Sequence, residues 1–380
     1  MISESHQPLI FAKFVDQDIL SEMGRLLFYT LNIFALNGYH IKLFQNINFE
    51  KLEKDRPYIR LVESIDNLVM VDEIPGNTED TIYLFDREDK ECAQKHWKKR
   101  IQIRFNIFSS YFWSAFSKSR PIVMPYPMHP LLYGADLESR LQAGRQQKRT
   151  MRIFFSGDTE GYRKNRIHYP TKKLTRSEII GTITEVIGDN AIRVTDTESH
   201  NRLLGGEYIQ KFVIVDNKEF RIESRYWLET LSKSDFFLCP PGYVMPMCHN
   251  VIEAMSVGTI PVINYPEWLN PSLTDMVNCV AFDDKDELIR KINHILNMKE
   301  EEINEMRSRV IEYYQNNLDP EVFVNKLEMN TEKDATLLMV TDAYVAKNSS
   351  KLNRNSIIIN GTPLHPRTLW SGIRRSLTSG

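Results

Sequence analysis

Short apolar runs recur along this chain, each closed by turn residues: Pro8–Phe14, Tyr39–Phe44, Thr81–Phe85, Pro121–Met124, Met151–Ser156, Ala191–Thr195, Lys211–Val215, Phe236–Cys239 and Thr259–Asn264. Between them lie stretches with helical spacing: Leu20–Leu36 ending at Asn37-Gly38, a long amphipathic stretch His96–Phe116, then Thr175–Ile187, Glu219–Lys233, Met247–Val257 and Glu287–Leu296 with Asp286 as its N-cap. Continuous apolar strands are those buried on both faces, which is the condition of a parallel sheet covered by helices. The alternation therefore predicts an α/β protein built as doubly wound, Rossmann-like domains.

With 380 residues the chain exceeds one ordinary core and fits two domains. The periodic pattern lapses between Pro125 and Thr150, where prolines, glycines and a basic run cluster. The expected division is an N-terminal domain over 1–135, a linker over 136–150 and a second α/β domain over 151–330. A C-terminal extension over 331–380 can cross back to the first domain.

Charge and cysteine content narrow the function classes. Lys and Arg total 48 against 50 Asp and Glu, so no overall field recruits nucleic acid, and none is expected as a partner. Cys92, Cys239, Cys248 and Cys279 show no metal-ligand spacing and read as reduced thiols. The start MISESHQPLIFAKF lacks the pattern of a signal peptide, and no window reaches the ~18 apolar residues of a membrane span. A soluble, cytoplasmic protein is expected. The aromatic and basic stretch from His96 to Arg120, and more weakly the tail TLWSGIRRSL, could lay an amphipathic helix on the inner membrane face.

Candidate chemistry concentrates in PPGYVMPMCHNVIEAMSVGTIPVI, residues 240–263. A strand ends at Cys239, Gly242 breaks the chain, and a helix opens at Cys248, His249 and Asn250, with Gly258 as its C-terminal cap. Such a helix mouth, at the carboxyl edge of a parallel sheet, favours a phosphate. Glu253 follows His249 by one turn and could take the hydroxyls of a ribose. In the loop FSGDTEGY, Asp158 and Glu160 stand at another strand end, with Arg163, Lys164 and Arg166 downstream. Arg221 and Arg225 are further cations available to a phosphate.

The stretch FFLCPPGYVMPMCHNVIEAMSVGTIPVINYPEW resembles the nucleotide-sugar half of GT-B glycosyltransferases, most closely the exostosin-like group. The resemblance rests on Cys239-Pro-Pro-Gly242, Glu253-Ala254 and Gly258-Thr-Ile-Pro-Val-Ile263. It implies two Rossmann-like domains facing a cleft, a nucleotide-sugar donor held by the second domain, and a glycan or lipid-linked glycan acceptor on the first. Glu253, His249, Asn250, Cys248, Gly242, Arg221, Arg225 and Arg163 then become donor-binding candidates. Glu160 and Asp158 are candidates for acid/base work, and Asp16, Asp18 and Asp86, each following a strand of the first domain, for the acceptor's base.

Two departures are informative. Met245 stands where retaining relatives with paired glutamates carry an acid, and Asn250 where exostosins usually carry an arginine. The resemblance implies no bound metal or resident cofactor, and Asp283-Asp284-Lys285-Asp286, the nearest thing to a metal-binding Asp pair, reads as a loop before a helix. The expected function is sugar transfer in bacterial surface polysaccharide synthesis, O-antigen or capsule. The alternatives are transfer of an acidic sugar from a CMP donor such as CMP-Kdo, a non-catalytic nucleotide- or glycan-binding module, and a nucleotide-sugar epimerase. His129 in MPYPMHP reads as structural, with a cleft contact as the other reading.

Overall fold

The computed structural model describes residues 8–107, 121–160, 173–188, 191–351 and 356. Contacts divide the chain into two compact units, the described residues of Met1–Pro130 with Asp319–Gly380, and those of Leu131–Leu318.

In the first unit, β1 (Leu9–Lys13), α1 (Arg25–Ala35), β2 (His40–Phe44), α2 (Phe49–Leu52) and β3 (Leu68–Val71) are followed by β4 (Thr81–Phe85), α3 (Lys90–Ala93), β5 (Lys99–Arg104) and β6 (Pro121–Val123). The second unit runs through α4 (Leu137–Gln146), β7 (Met151–Gly157), α5 (Arg176–Ile187), β8 (Ala191–Val194), α6 (Thr197–Leu204) and β9 (Phe212–Asp216). It continues with α7 (Ser224–Ser232), β10 (Ser234–Cys239), α8 (His249–Ser256), β11 (Ile260–Ile263), β12 (Val280–Ala281), α9 (Lys285–Leu296) and α10 (Glu300–Asn317). The chain then returns to the first unit with α11 (Pro320–Met329), β13 (Asp334–Leu338) and α12 (Asp342–Asn348).

All strand pairs are parallel. The first sheet has the order β3-β2-β1-β4-β5-β13-β6 and the second β12-β11-β10-β7-β9-β8. The strands TIYLF, MRIFFSG, FVIVD and SDFFLC are buried at every position, as central strands covered on both faces must be. In each sheet the order reverses beside one strand, β1 in the first and β7 in the second. The loops after β1 and β7 therefore open at the crevices where doubly wound sheets take ligands.

Several boundaries differ from the sequence-based expectation. The segment expected as a linker, 136–150, forms α4. Leu141 and Gly144 are buried there, and a Cβ on Gly144 would lie 2.9 Å from a Val257 methyl, so the helix packs tightly in the second unit. The second unit ends at Leu318 rather than at 330, because α11 packs on α1. Within the expected extension, β13 inserts between β5 and β6. Residues 357–380, including the TLWSGIRRSL tail, lie outside the described residues.

The amphipathic stretch from His96 does not begin as a helix. Trp97 is buried, and Lys99–Arg104 is a strand whose Ile101 and Ile103 point inward two residues apart. Residues 108–120 lie outside the described residues. The helix after β12 starts at Lys285, capped by Asp284, whose carboxylate accepts from the Glu287 N–H at 2.8 Å, two residues earlier than the expected cap Asp286. The helical reading of Leu20–Leu36 holds only from Arg25. Before it, Glu22, Met23 and Gly24 all have left-handed backbones, with φ of 53°, 60° and 86°. The two non-glycine residues each cost about 1–3 kcal/mol there.

The second unit is pinned beneath its sheet by a buried charge cluster. Asp235, at the start of β10, bonds Arg152 at 3.0 Å and Arg307 at 2.6 Å. Burial and the neighbouring Arg307 lower the nearby Arg149 guanidinium to about 9. Removing the shared anion would strand buried cations, so Asp235→Ala should cost about 3–5 kcal/mol in urea unfolding at pH 7. A loss below about 1 kcal/mol would show that these cations behave as exposed surface charges.

Candidate active site

At the end of β10 the chain turns sharply through Pro240-Pro241-Gly242. The Gly242 N–H donates to the Pro246 carbonyl at 3.2 Å, and a Cβ on Gly242 would sit 2.6 Å from the Met245 carbonyl oxygen. Only glycine fits that close approach. The loop delivers Cys248 as the N-cap of α8, and its side chain makes no capping bond, so the first N–H groups of α8 receive no side-chain cap from it. Cys248, His249 and Asn250 are all partly exposed. Asn250 reaches the Ser156 carbonyl at the end of β7 at 3.5 Å. The helix mouth and the switch-point strand thus meet within the second unit.

Glu253 differs from the expected open, diol-binding carboxylate. It lies on the inner face of α8 with no exposed surface, and its Oε2 accepts the indole N–H of Trp227 from α7 at 2.5 Å. In this state the group ties α8 to α7.

Asp158 and Glu160 do lie beyond β7, but as parts of a turn. Asp158 accepts the Glu160 N–H at 3.0 Å, and Lys218 bridges to both carboxylates at 3.1 and 3.8 Å. Glu160 is largely exposed. Beside them the buried Asp216 takes the Thr159 hydroxyl and the Lys218 N–H. Neither acid has the enclosed setting that tunes an acid/base group. Arg225 pairs with Glu223 at 3.0 Å and lies over the Tyr226 ring, while Arg221 is exposed on the preceding loop. Arg163, Lys164 and Arg166 lie outside the described residues.

Two cations at this edge escaped the sequence reading. Lys173 is largely buried and donates to the carbonyl of Asn264, at the end of β11, and to Glu267 at 2.9 Å. Arg176, also buried, is the first residue of α5, and its guanidinium sits beside Gly157 at the end of β7. Both stand at a helix N-terminus, where the dipole opposes positive charge. That opposition was the available signal: KKLTRSE places cations around the Thr175 N-cap, and a bound anion would reconcile them with it.

In the first unit, Asp86 is not available as the acceptor's base. Its oxygens accept from the N–H groups of Val15 at 2.9 Å, Asp16 at 2.5 Å and Arg87 at 2.6 Å, so it clasps the loop after β1 to the end of β4. Burial raises its carboxyl from the usual range, and those amides oppose the rise. Asp16 caps its own short turn and pairs with the exposed Arg87, and Asp18 pairs with Lys347 at 3.7 Å. His129 bonds the Tyr58 hydroxyl at 3.0 Å with its ring edge-on to the tyrosine.

Each unit is a doubly wound parallel sheet with polar groups gathered at its switch-point strand. The sequence profile of the Exostosin GT47 domain matches residues 80–281, more than half of the chain, and the chain belongs to that family. No curated protein matches the sequence.

Likeness to solved structures is distant. A glycosyltransferase from Rickettsia africae is 10% identical with a TM-score of 0.46, covering 85% of this chain and 98% of its own. The Anabaena protein HepE in complex with UDP is 12% identical with a TM-score of 0.43, covering 86% and 99%. The N-terminal domain of a Candida albicans trehalose-6-phosphate phosphatase is 9% identical with a TM-score of 0.43, covering 86% and 97%. At this distance these likenesses add nothing to the family assignment.

The buried bond between Glu253 and Trp227 sets a measurable expectation. Glu253→Ala leaves an indole N–H without its acceptor and should cost about 1–3 kcal/mol in urea unfolding, whereas Glu253→Gln retains an acceptor and should cost less. Equal stability of Glu253→Ala and wild type would show that the indole finds another partner.

Proposed function

We propose that this protein transfers a sugar from a nucleotide-sugar donor to a hydroxyl of a glycan or lipid-linked glycan, in the assembly of bacterial surface polysaccharide such as O-antigen or capsule. Family membership supports the reaction class. The observation that carries the donor assignment is the convergence of Lys173 and Arg176 on the carboxyl edge of the second sheet, beside the α8 mouth formed by Cys248, His249 and Asn250. A nucleoside diphosphate is an anion of the size and charge that two largely buried cations and a helix N-terminus hold together.

In this reading the leaving phosphate is neutralised by protein cations and helix N–H groups, and no resident metal or cofactor takes part. Among the described residues no group of three or more His, Cys, Asp and Glu is placed to hold a metal ion. No described helix is long and apolar enough to cross a membrane. We place membrane contact, where the acceptor is lipid-linked, at the protein surface and on the cytoplasmic side. A CMP-activated acidic sugar is the second donor reading, since it too presents a phosphate to the same cations.

A thermal-shift panel of UDP, GDP, CMP, dTDP and their sugars tests the assignment. One nucleotide should stabilise the protein, by about 2.7 kcal/mol at 100 times its Kd. Arg176→Met should weaken that nucleotide about tenfold, or about 1.4 kcal/mol, and leave the corresponding nucleoside unaffected. Stabilisation by CMP would favour the acidic-sugar donor. No response from the folded protein to any nucleotide would overturn the transferase reading and leave a glycan-binding module.

A further inference from the structure

The first unit carries a carboxyl group unlike any of the acids discussed above. The loop after β1 leaves the sheet at its switch point, is clasped by Asp86 through the amides of Val15 and Asp16, and then makes the left-handed run Glu22-Met23-Gly24. That run lies hard against the neighbouring segment, for a Cβ on Gly24 would meet the Ile59 nitrogen at 2.8 Å. Two consecutive non-glycine residues in this conformation persist only where the surroundings force them, and such places cluster at functional sites.

The effect of the run is to turn Glu22 inward. The residue is 8% exposed, Oε2 accepts the Tyr126 hydroxyl at 2.8 Å, and Oε1 is buried without a hydrogen-bond partner. Tyr126 comes from the loop after β6, and Asp342, which presents its N–H and its carboxylate to Glu22, is the first residue of α12, the helix that follows β13. Three strand ends therefore converge on one carboxyl group. Arg25 lies 4.0 Å from Oε2 and is backed by the Tyr58 ring, which in turn bonds His129. Asp18, from the short helix preceding the run, is engaged by Lys347.

Burial is the largest influence on Glu22 and the Asp342 carboxylate adds to it. Arg25, the Tyr126 hydroxyl and the Asp342 amide oppose them, and the group is raised to about 7. A carboxyl that titrates near neutrality, with one oxygen fixed by a donor and the other lacking one, has the properties of a general base.

We propose that Glu22 is the base that receives the proton of the acceptor hydroxyl. The proposal rests on the transferase reading. The acceptor O–H bond breaks and its proton passes to Oε1 of the Glu22 carboxylate. The acceptor oxygen bonds to the anomeric carbon, and the bond from that carbon to the nucleotide phosphate breaks, its electron pair leaving with the phosphate. Attack and departure on opposite sides invert the anomeric configuration. Tyr126 is a positioning residue, holding the other carboxylate oxygen. Oε1 is enclosed, so the acceptor reaches it when the Glu22–Gly24 turn shifts, and release of the left-handed backbone offsets part of the cost of that shift.

The test follows sugar transfer across pH 5–9, nucleotide binding by calorimetry, and carboxyl protonation by infrared difference spectroscopy of wild type against Glu22→Gln. Expected are a fall in kcat of about 100-fold or more for Glu22→Gln, unchanged nucleotide affinity and acceptor KM, loss of the acidic limb near pH 7, and a wild-type carboxyl band titrating near neutrality. Tyr126→Phe removes a donor to the carboxylate and should move the limb to higher pH. It serves as the second variant if Glu22→Gln does not fold.

Transfer by Glu22→Gln within about threefold of wild type would overturn the assignment of the base and leave the transferase reading intact. An unmoved limb in Tyr126→Phe, or a carboxyl band titrating below pH 5, would do the same. A wild type that binds nucleotide but transfers sugar to no acceptor would overturn the transferase reading, and this inference with it.

Discussion

Every strand in both sheets is parallel, and that single constraint decides where chemistry can sit. A strand paired on both sides and covered on both faces buries a polar side chain only where a partner answers it, as Asp235 answers Arg152, so polar groups collect toward the strand ends. Because all strands run one way, those ends share an edge. The order reverses at β1 and at β7, and there the loops diverge to opposite faces and leave a crevice. The inward carboxyl of Glu22 follows β1, and the Asp158–Glu160 turn, the Asn250 contact and the Arg176 guanidinium surround the end of β7.

Burying acids near such edges is costly unless each charge is answered, and this chain answers them in different ways. Asp86 is satisfied by backbone amides and becomes a clasp. Asp235 is satisfied by two guanidiniums and becomes an anchor, and Asp216 is held by a hydroxyl and an amide. Glu253 accepts an indole N–H and joins two helices. Glu22 stands apart because one of its oxygens is enclosed with no donor, and burial then favours the proton. The difference between a structural acid and a reactive one is thus a difference in hydrogen-bond partners, at similar burial.

These partners explain what the sequence could and could not disclose. Fully buried strands such as TIYLF and FVIVD were legible because a short run apolar at successive positions and closed by turn residues suits a central parallel strand. The strand KRIQIR was not, since its alternation is short and embedded in a longer amphipathic pattern, and DATLL was not, since its place between β5 and β6 is settled by pairing with strands more than two hundred residues away. The Cys239–Gly242 turn and the α8 mouth were legible because a close backbone approach leaves glycine as its signature.

Glu22 left no such signature. In QDILSEMGRLLFY the spacing of Ile19, Leu20 and Leu26 suits a helix begun early, and nothing about glutamate or methionine announces a left-handed backbone. The run exists because Asp86 fixes the start of the loop and Ile59 walls off its end, two constraints supplied by residues distant in sequence. Local preference is overridden there, and the cost of doing so is borne by the rest of the unit. A position where local and tertiary preferences conflict, at the strand where the sheet reverses, is where a bottom-up reading of this fold should look for its reactive group. The same logic separates Asp16, which its local turn satisfies, and Asp18, which pairs with the exposed Lys347, from the one acid the loop was bent to enclose.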